Sequence, residues 1–131
     1  MNPSTSTGAP SDLVFRRVMV RINRTIGLPS QSGWPFSKVT VGSGVFNIKL
    51  FGTNLSLTPN SLARLEEYSK SYDLGKPVHE HGLRMVLTTP VSTGGRLANA
   101  LVTGVDVSFR SKDFNNAVEA LRTNGFTVVL S

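Results

Sequence analysis

No cysteine occurs among the 131 residues, which removes a disulfide framework, a thiol nucleophile and any thiolate metal ligand, and fits a reducing compartment. Long apolar runs are absent too. The stretch Val45–Phe51 is interrupted by Asn47 and Lys49, and nothing approaches the ~20 apolar residues of a membrane-spanning helix. The opening Met1-Asn2-Pro3-Ser4-Thr5 has neither a charged n-region nor an apolar stretch, and position 2 is not glycine. Neither a secretory signal nor N-myristoylation is therefore expected. Catalytic templates are missing as well: there is no phosphate-binding Gly-x-x-x-x-Gly-Lys loop, no Gly-x-Gly-x-x-Gly and no Gly-x-Ser-x-Gly elbow. Gly42-Ser43-Gly44 lacks the third glycine and the helix that would follow. No catalytic residue, cofactor or small-molecule substrate is assigned, and an enzyme would need a site assembled only by tertiary structure.

Acidic residues are the other scarcity. Asp and Glu number 8 against 14 Lys and Arg, for a net charge of +6, and none lies between Leu13 and Ala63. That acid-free half carries Arg16, Arg17, Arg21, Arg24, Lys38 and Lys49, and such a surface attracts the phosphates of nucleic acid or lipid headgroups. A basic surface that serves only solubility is the plainer alternative. The adjacent Glu66 and Glu67 read as a solvated helix face rather than a catalytic carboxylate pair.

With 39% apolar residues, a chain of this length buries roughly two-thirds of its unfolded surface and forms a single domain. Residues 1–11 are rich in Ser, Thr, Pro and Gly and are expected to be a disordered tail, leaving 12–131 as the folded unit. From Leu13 an alternating pattern predicts a strand of about ten residues, with Val14, Val18, Val20 and Ile22 on one face and Phe15, Arg17, Met19, Arg21 and Asn23 on the other; Arg16 interrupts it. Gly27–Phe36 is dense in Gly, Pro and Ser and reads as a loop. Lys38–Val41 and Val45–Phe51 flank the Gly42-Ser43-Gly44 turn, and Leu55–Leu57 follows. Thr58-Pro59 signals a helix start, and Leu62, Leu65, Tyr68 and Tyr72 at helical spacing, with the pair Glu66 and Lys70, predict a helix to about Asp73. A strand is expected at Leu83–Thr89, and Leu97–Phe109 is β-rich, either throughout or with a helical turn at Leu97–Leu101 before a strand at Val102–Phe109. Last come a helix capped by Ser111, with Phe114, Ala117, Val118 and Leu121 as its stripe and Gly125 as its stop, and a strand at Phe126–Leu130. The sum is an α+β single domain, mainly antiparallel β-sheet with two packed helices.

Three groups of residues invite a functional reading. Arg16, Arg17, Arg21, Arg24 and Lys38 are the expected phosphate, lipid or RNA contacts. Phe15 and Met19 share a face with Arg17 and Arg21, a mixture suited to stacking and phosphate contact, although no RNA-recognition-motif signature is present. Trp34, Pro35 and Phe36 either plug the core or stand exposed as an adhesive loop for a partner or membrane interface. His79 and His81 fall on one strand face, but two imidazoles without a further ligand do not make a metal site; a hydrogen-bonded or solvent-facing pair, or a pH-sensitive one, is the alternative.

The order of elements resembles the matrix proteins of rhabdoviruses and related negative-strand RNA viruses over about residues 15–131. The aromatic-to-basic opening strand from Phe15 to Thr25 is similar to the family's first strand. Val45–Phe51, Gly52-Thr53-Asn54, Leu55–Leu57 and Thr58-Pro59 resemble its central strand, turn, short strand and Thr-Pro. His79-Glu80-His81 with the strand after it, and Gly104–Phe109 followed by Asp113-Phe114 and Asn124–Val128, match the later elements. A lysine-rich N-terminal tail and a Pro-Pro-x-Tyr motif are absent, which leaves the arginine-rich first strand to supply the electrostatics. The resemblance implies a structural protein of the virion, host cytoplasm and inner face of host membranes, which self-associates into homo-oligomers and links the viral nucleocapsid and its RNA to an anionic membrane surface. A small RNA-binding accessory or capsid protein of an RNA virus without membrane activity is the alternative.

Overall fold

The computed structural model describes residues 12–25, 30–33, 35–50, 53–68, 81–92 and 101–130. The stretch expected to be a tail, residues 1–11, lies outside them, as do Trp34, Tyr72 and His79. Along the described chain run β1 (Leu13–Phe15), β2 (Val18–Arg24), β3 (Ser30–Ser32), β4 (Ser37–Gly42), β5 (Val45–Leu50) and β6 (Thr53–Leu57). A 3-10 turn at Pro59–Ser61 follows, then β7 (Leu62–Tyr68), β8 (His81–Val91), β9 (Val102–Phe109) and the helix α1 (Ser111–Thr123). The strands form two antiparallel sheets, a smaller one in the order β1-β4-β5-β6 and a larger one in the order β3-β2-β9-β8-β7. Their inner faces share one apolar core with α1, which touches β1 and β4 of the small sheet and β8 and β9 of the large one.

This corrects the expected α+β arrangement with two packed helices: among the described residues there is one α-helix, against two sheets. Residues 62–68, predicted helical, are an edge strand. The start signal is real but short-lived. Thr58 and Ser61 form a reciprocal capping box around Pro59, which closes one 3-10 turn before the chain extends. The helical spacing of Leu62 and Leu65 has another origin. Leu62 pairs with Leu87 and Leu65 with Met85, and a bulge between Leu62 and Arg64 absorbs the extra residue, so side chains three apart reach the same face. Tyr68, opposite Gly82, then falls on the outer face.

The opening strand is also divided. At Arg16 and Arg17 the chain leaves the small sheet and enters the large one, and the alternation restarts: Phe15 is 7% exposed and Val14 46%, the reverse of the sequence parity. Chains turn such corners when one segment serves two sheets. The corner is fastened by the buried Ser37 hydroxyl, which donates to the Val18 carbonyl at 2.8 Å, and by Phe15, whose ring meets Phe109 edge-on at 5.4 Å. Phe109 in turn stands against Phe114 of α1 at 6.5 Å, so a single side chain touches both sheets and the helix.

The turn between β4 and β5 has Ser43 and Gly44 both at positive φ, as a two-residue type I′ hairpin requires. The Gly44 N–H donates to the Asn124 side-chain carbonyl at 2.7 Å, tying the hairpin to the end of α1. The helix buries Phe114, Ala117, Val118 and Leu121 as expected. Arg110, not Ser111, is its N-cap, without a side-chain hydrogen bond. It ends in a Schellman pattern: Gly125 at φ 91, its N–H on Arg122, and the Phe126 N–H on the Leu121 carbonyl. In place of the expected strand, 126–130 makes a single parallel bridge between Val129 and Glu66 of β7. Within the predicted loop, Ser30–Ser32 is instead a short strand on the edge of β2.

On β8, residues 87–90 bulge against β9, where the register passes from Val86 opposite Gly104 to Val91 opposite Val102. Just before that bulge the backbones close in, and a Cβ on Gly104 would lie 2.7 Å from the Met85 carbonyl oxygen. Gly104→Ala is accordingly expected to lose about 1–3 kcal/mol of unfolding free energy in urea, and Phe109→Ala about 3–5 kcal/mol.

Candidate polyanion-binding face

The five expected cations do not form one patch. Strand parity and the corner at Arg16-Arg17 send them to different surfaces. Arg21 faces outward from β2, opposite Asp106 of β9; Asp106 lies opposite Arg84 of β8, and Arg84 opposite Glu66 of β7. The row alternates in sign across four strands. Arg84 grips Asp106 with two hydrogen bonds, Nε to Oδ1 at 3.0 Å and Nη2 to Oδ2 at 3.4 Å, over a carboxylate only 5% exposed. Its guanidinium also lies 4.3 Å from the centroid of the Tyr68 ring, which covers Gly82 so closely that a Cβ there would meet it. At the far end Arg64 approaches Glu66 at 3.7 Å. Opposite charges in such cross-strand pairs contribute roughly 0.2–1 kcal/mol each. The outer face of the large sheet is thus a compensated ladder, and Arg21 belongs to it. Arg24 closes β2 opposite Val102, where the register shifts, and Arg17 sits exposed at the corner.

The small sheet differs. Its outer face carries Thr40, Asn47 and Ser56 in one cross-strand row and Lys38, Lys49 and Asn54 in the next. Lys38 is paired in register directly with Lys49. Phe15, the last residue of β1, registers with Val39, and Arg16 follows it exposed at the corner where the chain leaves the small sheet. Among the described residues none of Arg16, Lys38 and Lys49 forms an ion pair. The one acidic residue of this sheet, Asp12, lies at the opposite end, over Gly42. Like charges directly opposite each other repel, and an anion placed between the two ammonium groups relieves that repulsion.

Of the expected adhesive loop, Pro35 is exposed and Phe36 is 57% exposed. Phe36 immediately precedes β4, two positions before Lys38 in the chain. Lys49 was legible but unassigned: a two-residue turn at Ser43-Gly44 fixes Gly42 opposite Val45, and counting back along the hairpin sets Lys38 against Lys49. His81 registers with Phe109 on the inner face and its ring packs on Phe114 at 5.0 Å, so its imidazole is committed to packing at the rim of the core.

Compared with known proteins, the chain matches no family model and no curated protein.

The two outer faces respond differently to mutation. Asp106→Ala, which strips two hydrogen bonds from Arg84, is expected to lower stability by about 1–3 kcal/mol in urea denaturation. Lys49→Ala, on a strand surface with no partner to lose, stays within about 0.5 kcal/mol of the parent.

Proposed function

We propose that the protein is a matrix-like structural component. In this reading it binds polyanionic surfaces through the outer face of its small sheet, self-associates, and joins a ribonucleoprotein to the inner face of an anionic membrane. One observation carries it: Lys38 and Lys49 stand side by side with no acidic residue within that row, while on the large sheet Arg21 and Arg84 both stand opposite Asp106 and Arg84 also stands opposite Glu66. The exposed Phe36 ring, two positions before Lys38 in the chain, supports the same reading, because an aromatic near basic residues suits an interface with headgroups or with unstacked bases. The chemistry is binding by charge, so affinity falls with ionic strength as screening grows and the release of counterions into a saltier bulk gains less free energy.

Co-sedimentation with phosphatidylserine-containing liposomes and with single-stranded RNA, each at low and at physiological salt, tests this. The parent protein is expected to pellet with both ligands and to lose binding as salt rises. The double variant Lys38→Glu, Lys49→Glu is expected to bind at least ten-fold more weakly. Binding to RNA with none to liposomes identifies an RNA-binding accessory or capsid protein instead. Indifference to both ligands overturns the proposal.

A further inference from the structure

The small sheet ends at β1, which pairs with β4 on one side and, among the described residues, with no strand on the other. Edge strands ordinarily carry a lysine, a proline or a bulge that discourages further pairing. Leu13-Val14-Phe15 carries none of these. Leu13 is 44% exposed and Val14 46%, two of the five large apolar side chains left exposed among the described residues. Charge sits only at the ends, with Asp12 before the strand and Arg16 after it. The five residues Asp12-Leu13-Val14-Phe15-Arg16 are therefore complementary to their own reverse.

We infer that β1 is a homodimerisation edge, at which two copies of this chain pair antiparallel about a twofold axis through Val14. The inference rests on the self-association within the reading above and names its interface. In this register Val14 meets Val14 of the second copy, Leu13 meets Phe15, and Asp12 meets Arg16 at both ends. A parallel pairing would instead oppose Asp12 to Asp12 and Arg16 to Arg16, so charge selects the arrangement that a closed twofold dimer needs. A one-residue slip would break both ion pairs and turn the apolar residues to the wrong faces. Behind the strand, a groove of ≈ 500 Å³ opens between β1 and α1, walled by Phe15, Val41 and Ala120. The antiparallel register sets Leu13 of the second copy beside Phe15, at that groove. Residues 2–11 are a poor occupant by comparison, since Ala9 is their only aliphatic side chain apart from proline.

Because the chain has no cysteine, a single Val14→Cys substitution in the full chain reports the dyad directly. Opposed residues of an antiparallel pair have Cα atoms about 4.5–5.5 Å apart, within disulfide reach. Mild oxidation is expected to give a covalent dimer for Val14→Cys and none for Lys112→Cys, which lies on the exposed side of α1. In sedimentation equilibrium, Asp12→Arg alone and Arg16→Asp alone are each expected to weaken association at least ten-fold. An equimolar mixture of the two variants restores it as a heterodimer, because both ends then pair opposite charges. A parent protein that dimerises while Val14→Cys fails to cross-link places the interface elsewhere and overturns this inference, leaving self-association intact. A parent that stays monomeric at high concentration overturns both.

Discussion

The contact on which the rest of this molecule depends is that of Phe109 with its two aromatic neighbours. Its ring is fully buried at the end of β9, edge-on to Phe15 of the small sheet and to Phe114 of the helix. The chain crosses between the sheets at Arg16-Arg17, between β3 and β4 and between β6 and β7; the aromatic cluster and the Ser37 to Val18 hydrogen bond fasten the first of these crossings. Aromatic pairs of this geometry contribute about 0.5–1.5 kcal/mol beyond their burial. Their larger effect here is to set which way every side chain past the corner points.

That direction decides the electrostatics. Up to Phe15 the even-numbered residues face outward from the small sheet; along β2, from Val18 to Asn23, the odd-numbered ones face outward from the large sheet. Two cations five positions apart in sequence, Arg16 and Arg21, thus reach different places, one exposed at the corner just past β1 and one on β2 with a buried aspartate opposite. Asp106 and Glu66 offset the cations opposite them on the large sheet, while the lysine row of the small sheet has no acidic member.

The sequence was legible where a local rule had no competitor. The hairpin at Ser43-Gly44, the apolar stripe of α1 and its glycine stop follow from turn chemistry and periodicity, and each is found where the pattern placed it. Residues 62–68 defeated the same reasoning, because a β-bulge imitates helical spacing and the true partner of Leu65, Met85, lies far along the chain. Tertiary pairing overrode local propensity. The basic face was half legible: the absence of acid from Leu13 to Ala63 announced it, but the partition between Arg16 and Arg21 depends on a change of sheet that alternation alone does not reveal. Asp106, the partner that removes Arg84 from the free cations, comes from β9 and pairs by register.

The strand order carries a temporal consequence. β2 lies between β3 and β9, so a segment near the front of the chain waits for one near its back before the larger sheet closes. The link from Gly44 to Asn124 spans a similar separation. During vectorial synthesis the early strands emerge from the ribosome with unmatched backbone edges and no central partner. High contact order of this kind slows folding, and the nascent chain remains open to chaperones, or to wrong strand pairing, until the last third has been translated.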